Sequence, residues 1–473
     1  MRSRYFLILL FILSVLLYWR LFDTYAFSDT YEFLLSAKRN SGDFLSNFVR
    51  MGRPLYGLLN YWFYPGIESI DSLKWMRLFG YVGSMLFCLM SYTVILEANI
   101  GKNNAQYLIV FLLTSAPMTI IIGWCATFQV GWALLFATLS SWVLMNDKIL
   151  VRHYILSILL GLICLNLYQP AFGIFLFFGL LIFWKDKNLS GFLKVFLVYL
   201  SCLLFYFILY KVLLDILELE EWRSGISLDI LSKLKWFFGT VLFKIIGFNL
   251  KFLGNGTVNI LRFSALLLLL VALIKWIRSH HDVKSYYWGL ALIISLFGTY
   301  LPNLLSVESF YTNRTGLATS ALLALLLFTS NSYIFGHHHG KILNMVFTGL
   351  FILFGFTNFI NFVNINALEY SAIQTEIKKI QSDIKYSTIP LERGFLKKAN
   401  VIKDNSGGEF GELSSSFEWS AEPIIWHVSK DMGQSINLCK LNCSEAKVID
   451  IESAIRQQFQ QNTRYFGWLI LKK

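Results

Sequence analysis

Charge is what this chain has least of. Only 15% of its 473 residues are Asp, Glu, Lys or Arg, and 56% are hydrophobic. A soluble domain averages roughly 25% charged. That shortfall excludes a soluble protein with one anchor and predicts a chain that crosses a membrane many times. Nucleotide-handling signatures are missing too. There is no Walker loop and no dinucleotide fingerprint, which argues against a nucleotide-driven pump. No Gly-x-Ser-x-Gly elbow is present, which argues against a serine hydrolase. Neither His-Glu-x-x-His nor a Cys/His frame occurs, so His337, His338 and His339 read as a solvated loop rather than a metal site. The formal net charge is +12, yet no basic run is dense enough for nucleic acid. No internal repeat or low-complexity tract is present.

What is there is apolar and aromatic. Aromatics reach 17%, with 43 Phe, as suits lipid-facing helices and interfacial belts. Runs near 20 apolar residues read as spanning helices. They fall at 5–22, 75–96, 105–123, 128–145, 153–166, 170–184, 192–213, 258–277, 286–304, 315–334 and 341–362, about eleven in all. The first follows Met-Arg-Ser-Arg but lacks a small-residue cleavage site, so it reads as a retained helix. The stretch 153–184 reads as a tight hairpin closed by Asn166-Leu167-Tyr168-Gln169-Pro170. The stretch 229–253 carries Lys233, Lys235, Lys244 and Lys251 among apolar residues and reads as an amphipathic helix lying in the interface.

Basic residues orient the bundle. Arg2, Arg4, Lys102, Lys148, Arg152, Lys185, Lys187, Arg278, Lys284 and Lys341 fall on one side if 229–253 does not cross, and that side is cytoplasmic by the positive-inside rule. The N-terminus is then inside and the C-terminus outside. The long loop 23–74, the turn at Gln169, segment 214–257, loop 303–314 and everything after 363 share the outer side. The expectation is a transmembrane domain over 1–363 and a small soluble α+β domain over 364–473. In that domain Gln374–Ile384 reads as a helix, Ile424–Val428 and Trp468–Leu471 as strands, and Asn405–Gly408 as a turn.

Several residues on that outer side carry usable chemistry. Asp29 and Glu32 are three apart and share a face if helical. Arg50 and Arg53 are likewise three apart, with Pro54 following. Glycosyl transfer from a lipid phosphate needs one carboxylate as general base and cationic donors on the departing phosphate. The fork of an arginine suits the second task. The plainer alternative is a solvated loop with surface ion pairs. Tyr168 and Gln169 suit sugar hydroxyls or an ordinary turn; Arg314 suits a phosphate or an interfacial anchor. Cys88, Cys125, Cys164 and Cys202 read as small core residues, whereas Cys439 and Cys443 are candidates for a disulfide in an oxidising compartment.

The acidic residue after the first helix, Gly52-Arg53-Pro54-Leu55, Tyr168-Gln169, Asn313-Arg314-Thr315 and Gly408-Glu409-Phe410-Gly411 resemble, in order and spacing, the Gtr type II-like glucosyltransferases of serotype conversion. The resemblance spans most of the chain. It implies a polytopic GT-C-like fold in the bacterial inner membrane. It implies transfer of glucose from undecaprenyl-phosphate glucose to lipopolysaccharide O-antigen at the periplasmic face. Partners would be a flippase and a synthase of the lipid-linked glucose. Asp29 or Glu32 would be the base, and the other would orient the acceptor or bind a divalent metal. Arg50, Arg53 and Arg314 would hold the phosphate. Tyr168, Gln169, Glu409 and Trp419, with Trp426, would meet sugar or acceptor. The acidic pair is split by Thr30 and Tyr31, unlike the adjacent pair of many GT-C enzymes, which leaves the roles of the two carboxylates open. An O-antigen polymerase or ligase would carry its large catalytic loop late. A flippase or other transporter would show repeat symmetry and broken helices.

Overall fold

A computed structural model describes residues 2–39, 43–145, 150–186, 189–221, 225–227, 229–246, 263–264, 266–272, 274–275, 283–382, 388–390, 414, 421–433 and 437–439. The protein is a helical membrane protein. Among the described residues six helical stretches are long and apolar enough to cross a bilayer, Arg4–Phe22, Leu73–Glu97, Cys125–Val143, Val151–Lys185, Leu189–Ile216 and Asn313–Thr375, or seven if a bent pair is counted as one span. Their outer faces explain why. Helix α11 (Leu189–Ile216), the eleventh in chain order, buries Phe192, Val195, Tyr199, Cys202 and Tyr206, while Leu197, Leu204, Ile208 and Val212 stand exposed. A helix apolar all round belongs in lipid.

Helix α1 (Arg2–Tyr18) leads into the long loop, which is helical: α2 (Asp29–Lys38), α3 (Asp43–Arg50) and α4 (Pro54–Phe63). Pro54 opens α4, where its missing N–H costs nothing. Helix α5 (Leu73–Glu97) returns across the bundle. Its Arg77 is 1% exposed and is satisfied by three carbonyls, those of Leu21, Asp23 and Tyr25, at 2.6–2.9 Å. Its guanidinium also lies 4.0 Å from the Tyr25 ring centroid. A buried cation is tolerated only when so paired. Arg77 thereby anchors the chain as it leaves α1.

Helices α6 (Lys102–Thr114) and α7 (Ala116–Gly123) form the bent pair, at 47°. The bend has a local cause. Pro117 has no N–H and its ring would clash with the carbonyl four residues back. Ser115 takes an extended conformation and its hydroxyl accepts the Met118 N–H. A turn over Cys125–Thr127 precedes α8 (Val130–Val143).

The two longest apolar stretches fold back on themselves. Helix α9 (Val151–Tyr168) and helix α10 (Gly173–Asp186) are split at Tyr168, which is extended at φ −163°, ψ 101°. A Cβ on Gly161 would lie 3.0 Å from the Phe172 ring, which a continuous helix forbids over that separation. After α11 come short helices α12 (Ile230–Trp236) and α13 (Phe243–Ile246), joined by a π-helical run, Phe237–Leu242. Lys233 there is buried, not solvated, and donates to Val307 O, Glu308 O and Ser309 Oγ at 2.9–3.1 Å. Helices α14 (Val283–Gly298) and α15 (Leu301–Leu305) follow. The run α16 (Leu317–Ser382) is broken at Gly336, whose φ of 74° is open chiefly to glycine. Asn331 donates to Asn344 Oδ1 at 2.8 Å, so the two arms lie side by side. The second arm passes through 363–364 without a break and includes the expected helix from Gln374 as far as Ser382.

The expected strand at Ile424–Val428 is instead helix α17 (Ala421–Asp431). Ile424, Ile425 and Val428 are fully buried, at helical spacing, against Tyr31 and Leu34 of α2 and Ile373 and Ile377 of α16. Docking on that apolar layer overrides a β-branched local preference. The strands that are described are short, Thr388–Pro390 paired in parallel with Asn437–Cys439. An independent α+β domain and eleven crossings go beyond what the described residues establish. Cys443, Trp468–Leu471 and Asn405–Gly408 lie outside them, as does the side chain of Cys439. Cys88, Cys125, Cys164 and Cys202 are buried free thiols.

Candidate functional site

The turns at one end of the bundle converge. Tyr56 Oη donates to Ala126 O at 2.5 Å, tying α4 to the turn after α7. Trp124 Nε1 donates to Phe27 O at 2.9 Å, tying that turn to the entry of α2. Tyr370 Oη and the Ile70 N–H both reach Asp431 Oδ2, at 2.8 and 3.0 Å, tying α17 to α16 and to the loop. Ser227 N–H donates to Leu305 O at 2.8 Å. The described parts of loop 23–74, the turn after α7, α16 and α17 therefore meet, at the end opposite the Gly336 reversal.

Within this layer two guanidiniums approach one tyrosine. Arg53 Cζ lies 4.8 Å from the Tyr168 ring centroid, and Arg314 Nε donates to Tyr168 Oη at 3.2 Å. Arg314 also stacks on Trp124, 4.3 Å from Cζ to centroid. Stacking of this kind holds a planar guanidinium flat in one orientation. Burial pulls the Arg53 guanidinium below its usual range; Tyr168 opposes this and Arg314 adds to it. Arg53 stays charged, because arginine starts so high. Two like charges brought together in a half-buried layer repel, and an anion between them relieves that repulsion.

Gln169 holds Arg53 in place. Its Oε1 accepts from Arg53 Nε at 2.9 Å, and its Nε2 donates to Gly52 O at 2.8 Å and to Tyr206 Oη at 2.7 Å. Tyr206 Oη donates in turn to Gly52 O at 2.8 Å. Both ends of the amide are thus engaged within the chain, and Gln169 orients Arg53 rather than presenting a free amide to a sugar. Gly52 has φ 71° and turns the chain between Arg50 and Arg53. Arg50 ends α3 and Arg53 precedes α4, so the two do not share a helix face. The Arg50 carbonyl accepts from Tyr210 Oη at 2.9 Å.

Asp29 and Glu32 lie in the first turn of α2, as the spacing predicts. Glu32 accepts from Ser36 Oγ at 2.9 Å. Asp29 adjoins Ser28 and sits close enough to Tyr56 and Tyr64 to act on both, although burial is the main cause of their raised values. Phe27, two residues before Asp29, is the residue that Trp124 holds. The turn therefore links the acidic helix to the Arg314 stack. Trp124, Tyr206 and Tyr210 escaped sequence reasoning because each is one more aromatic in a chain rich in them. Trp124, just beyond the predicted 105–123 span, was the only one with a positional signal.

Glu409 and Trp419 lie outside the described residues. Trp426 stands half-exposed on α17, 5.0 Å from the Lys430 ammonium. The three histidines lie exposed just past the Gly336 reversal, away from this layer. Among the described residues no group of three or more His, Cys, Asp or Glu side chains is placed to hold a metal. No family model, curated protein or solved structure matches the chain.

Proposed function

We propose that this chain is an inverting membrane glycosyltransferase that takes a sugar from a polyprenyl-phosphate donor. The observation that carries the reading is the approach of Arg53 and Arg314 to Tyr168, at the end of the bundle where Asp29 also lies. The chemistry follows from the parts. The acceptor hydroxyl attacks the anomeric carbon, and its proton passes to a carboxylate on α2. The bond from that carbon to the phosphate oxygen breaks, and the phosphate departs still attached to its lipid. No general acid is needed, because a phosphate leaves unprotonated. The growing negative charge is met by the guanidiniums, fixed in advance by Gln169 and Trp124. Asp29 is the base in this reading, since it follows the peptide that Trp124 holds; Glu32, bonded to Ser36, orients the acceptor. Among the described residues no third His, Cys, Asp or Glu joins Asp29 and Glu32, and no step here is routed through a metal.

The resemblance to Gtr type II-like enzymes supplies the finer terms of the proposal. The donor is undecaprenyl-phosphate glucose and the acceptor is O-antigen or another envelope glycan. The setting is the bacterial inner membrane, with a flippase and a lipid-glucose synthase as functional partners. The N-terminus is cytoplasmic and the C-terminal part periplasmic. Counting each arm of the two folded-back stretches separately adds two spans to the seven, toward the eleven of the proposal. The test uses full-length protein in lipid nanodiscs with undecaprenyl-phosphate glucose and O-antigen. Release of undecaprenyl phosphate is expected, and Asp29→Asn lowers it by about 10²-fold or more. Full activity in both Asp29→Asn and Glu32→Gln sinks the assignment.

One observation favours a transporter as a second reading. The 47° break at Ser115 sits beside a small cavity lined by Thr114, Ser115, Ser320 and Asn358, and broken helices with polar residues at membrane depth mark transport sites. Proteoliposomes that move lipid-linked sugar across the bilayer without cleaving it would favour that reading over transfer.

A further inference from the structure

Asp29 follows a strained residue. Thr30 N–H donates to Phe27 O at 3.2 Å and closes a turn in which Ser28 has φ 49°, ψ −123°. These are the angles of the second position of a type II′ turn, which glycine dominates. A serine held there marks a constraint imposed by its surroundings. The surroundings are specific. The Ser28 N–H donates to Ser414 Oγ at 3.0 Å, across 386 residues of sequence. The Ser414 N–H donates to Glu369 Oε2 at 3.0 Å. Ser28 is 5% exposed, and Ser414 and Glu369 are fully buried. On the other side of the same peptide unit, Phe27 O accepts from Trp124.

We propose that Ser414, anchored by Glu369, is a positioning residue for Asp29. It grips the Ser28 N–H and keeps that residue out of the relaxed extended conformation, and so sets the direction in which the first turn of α2 presents its carboxylate. The C-terminal segment then completes the site instead of only covering it. Glu369 lies on the long second arm of α16, so the clamp joins the bundle, the acidic helix and the C-terminal segment at one point. The positioning role rests on the transfer reading above; the clamp itself does not.

Two measurements on full-length protein in nanodiscs test this. Hydrogen exchange over 27–30, without substrate, reads the clamp. Turnover and donor KM for polyprenyl-phosphate release read the positioning. Ser414→Ala is expected to speed exchange over 27–30. It should lower kcat by about 10²-fold and leave donor KM within about twofold, the signature of a misaligned reacting group. Ser414→Thr keeps the hydroxyl and restores both. Glycine takes the Ser28 angles without strain. The Ser28 hydroxyl also donates to Asp29 Oδ1 at 3.3 Å, so Ser28→Gly placed in the Ser414→Ala background should recover only part of the lost kcat. Glu369→Gln keeps the shape and an acceptor oxygen and should shift both readouts in the same direction by less. Unchanged exchange in Ser414→Ala overturns the clamp. A kcat unchanged in Ser414→Ala, or a loss that Ser414→Thr fails to restore, overturns the positioning role. Wild-type protein that releases no polyprenyl phosphate overturns the transfer reading alone, and exchange then still decides the clamp.

Discussion

Single side chains in this protein are held by groups distant in sequence. Arg53 is fixed by Gln169, 116 positions away, and Arg314 by Tyr168, 146 positions away. In both cases an Nε–H is used for positioning. Lysine carries its three donors on one nitrogen and lacks the planar fork that pairs with a phosphate at two points. Arg53→Lys and Arg314→Lys are each expected to raise donor KM and lower turnover, with kcat/KM down by about tenfold or more. Steady-state kinetics on the purified variants check this. Arg77 is a residue of a different kind, bound to backbone alone. Its removal takes a donor from the buried carbonyls of Leu21 and Tyr25 and from that of half-buried Asp23. A buried acceptor left without a partner costs about 1–3 kcal/mol. Arg77→Met should therefore lower the melting temperature in detergent sharply, and an unchanged melt would refute the account.

At the scale of elements, helix α17 shows how a surface segment is made part of the site layer. Ile424, Ile425 and Val428 bury completely, and full burial of such a side chain is worth about 1.5–3 kcal/mol each as an upper estimate. The same face carries His427, 4% exposed, over the Tyr31 backbone and near Lys38 of α2 and Lys430 of its own helix. Burial, with the two lysines acting the same way, pulls the His427 pKa from 6.5 down to about 3. The undocked helix therefore binds a proton that the docked helix does not. Docking is at full strength above pH 6.5 and weakens as the pH falls through the window toward 3. Near pH 5 the loss is about 2 kcal/mol, less than the apolar face supplies, so the helix loosens without leaving. Exchange protection over 421–431, followed against pH, should fall in wild type and should not fall in His427→Gln, where Asp431, its carboxyl raised by burial, favours docking as the pH drops. The same element shows why local reading failed: a run of Ile, Ile, Trp, His and Val has strand propensity, and only the apolar layer beneath it selects a helix.

For the whole molecule, the site layer and the Gly336 reversal lie at opposite ends of the bundle. Single cysteines in a background without the native thiols, placed at Glu68 and Lys430 at one end and at Lys102 and His338 at the other, are all exposed positions. The first pair should label from one face of intact membranes with an impermeant maleimide and the second pair from the other. Any mixing within a pair would refute the arrangement. The hairpin at Gln169 and the apolar runs at 315–334 and 341–362 were legible in the sequence, because a turn with Pro and Gly and a run of apolar residues are local signals. The helical nature of the 23–74 loop was not legible, since α2, α3 and α4 are short and owe their stability to packing.

The sequence by itself determined that this protein lives in a membrane. A bilayer tests each stretch of about 20 residues by its own apolar content, and backbone satisfaction within a helix is equally local. Its spacing also meant that Asp29 and Glu32 would share a face if their segment were helical, and the structure supplied the helix. Only the tertiary structure decided which polar side chains meet. It separated Arg50 from Arg53 at Gly52, set Gln169 to orient Arg53 rather than face outward, and placed Trp124 between Phe27 and Arg314. It also seated Ser414 on Ser28. These contacts join residues up to hundreds of positions apart, and no local preference encodes them. They exist because apolar helices pack in one arrangement, and that arrangement delivers their polar ends to a common layer.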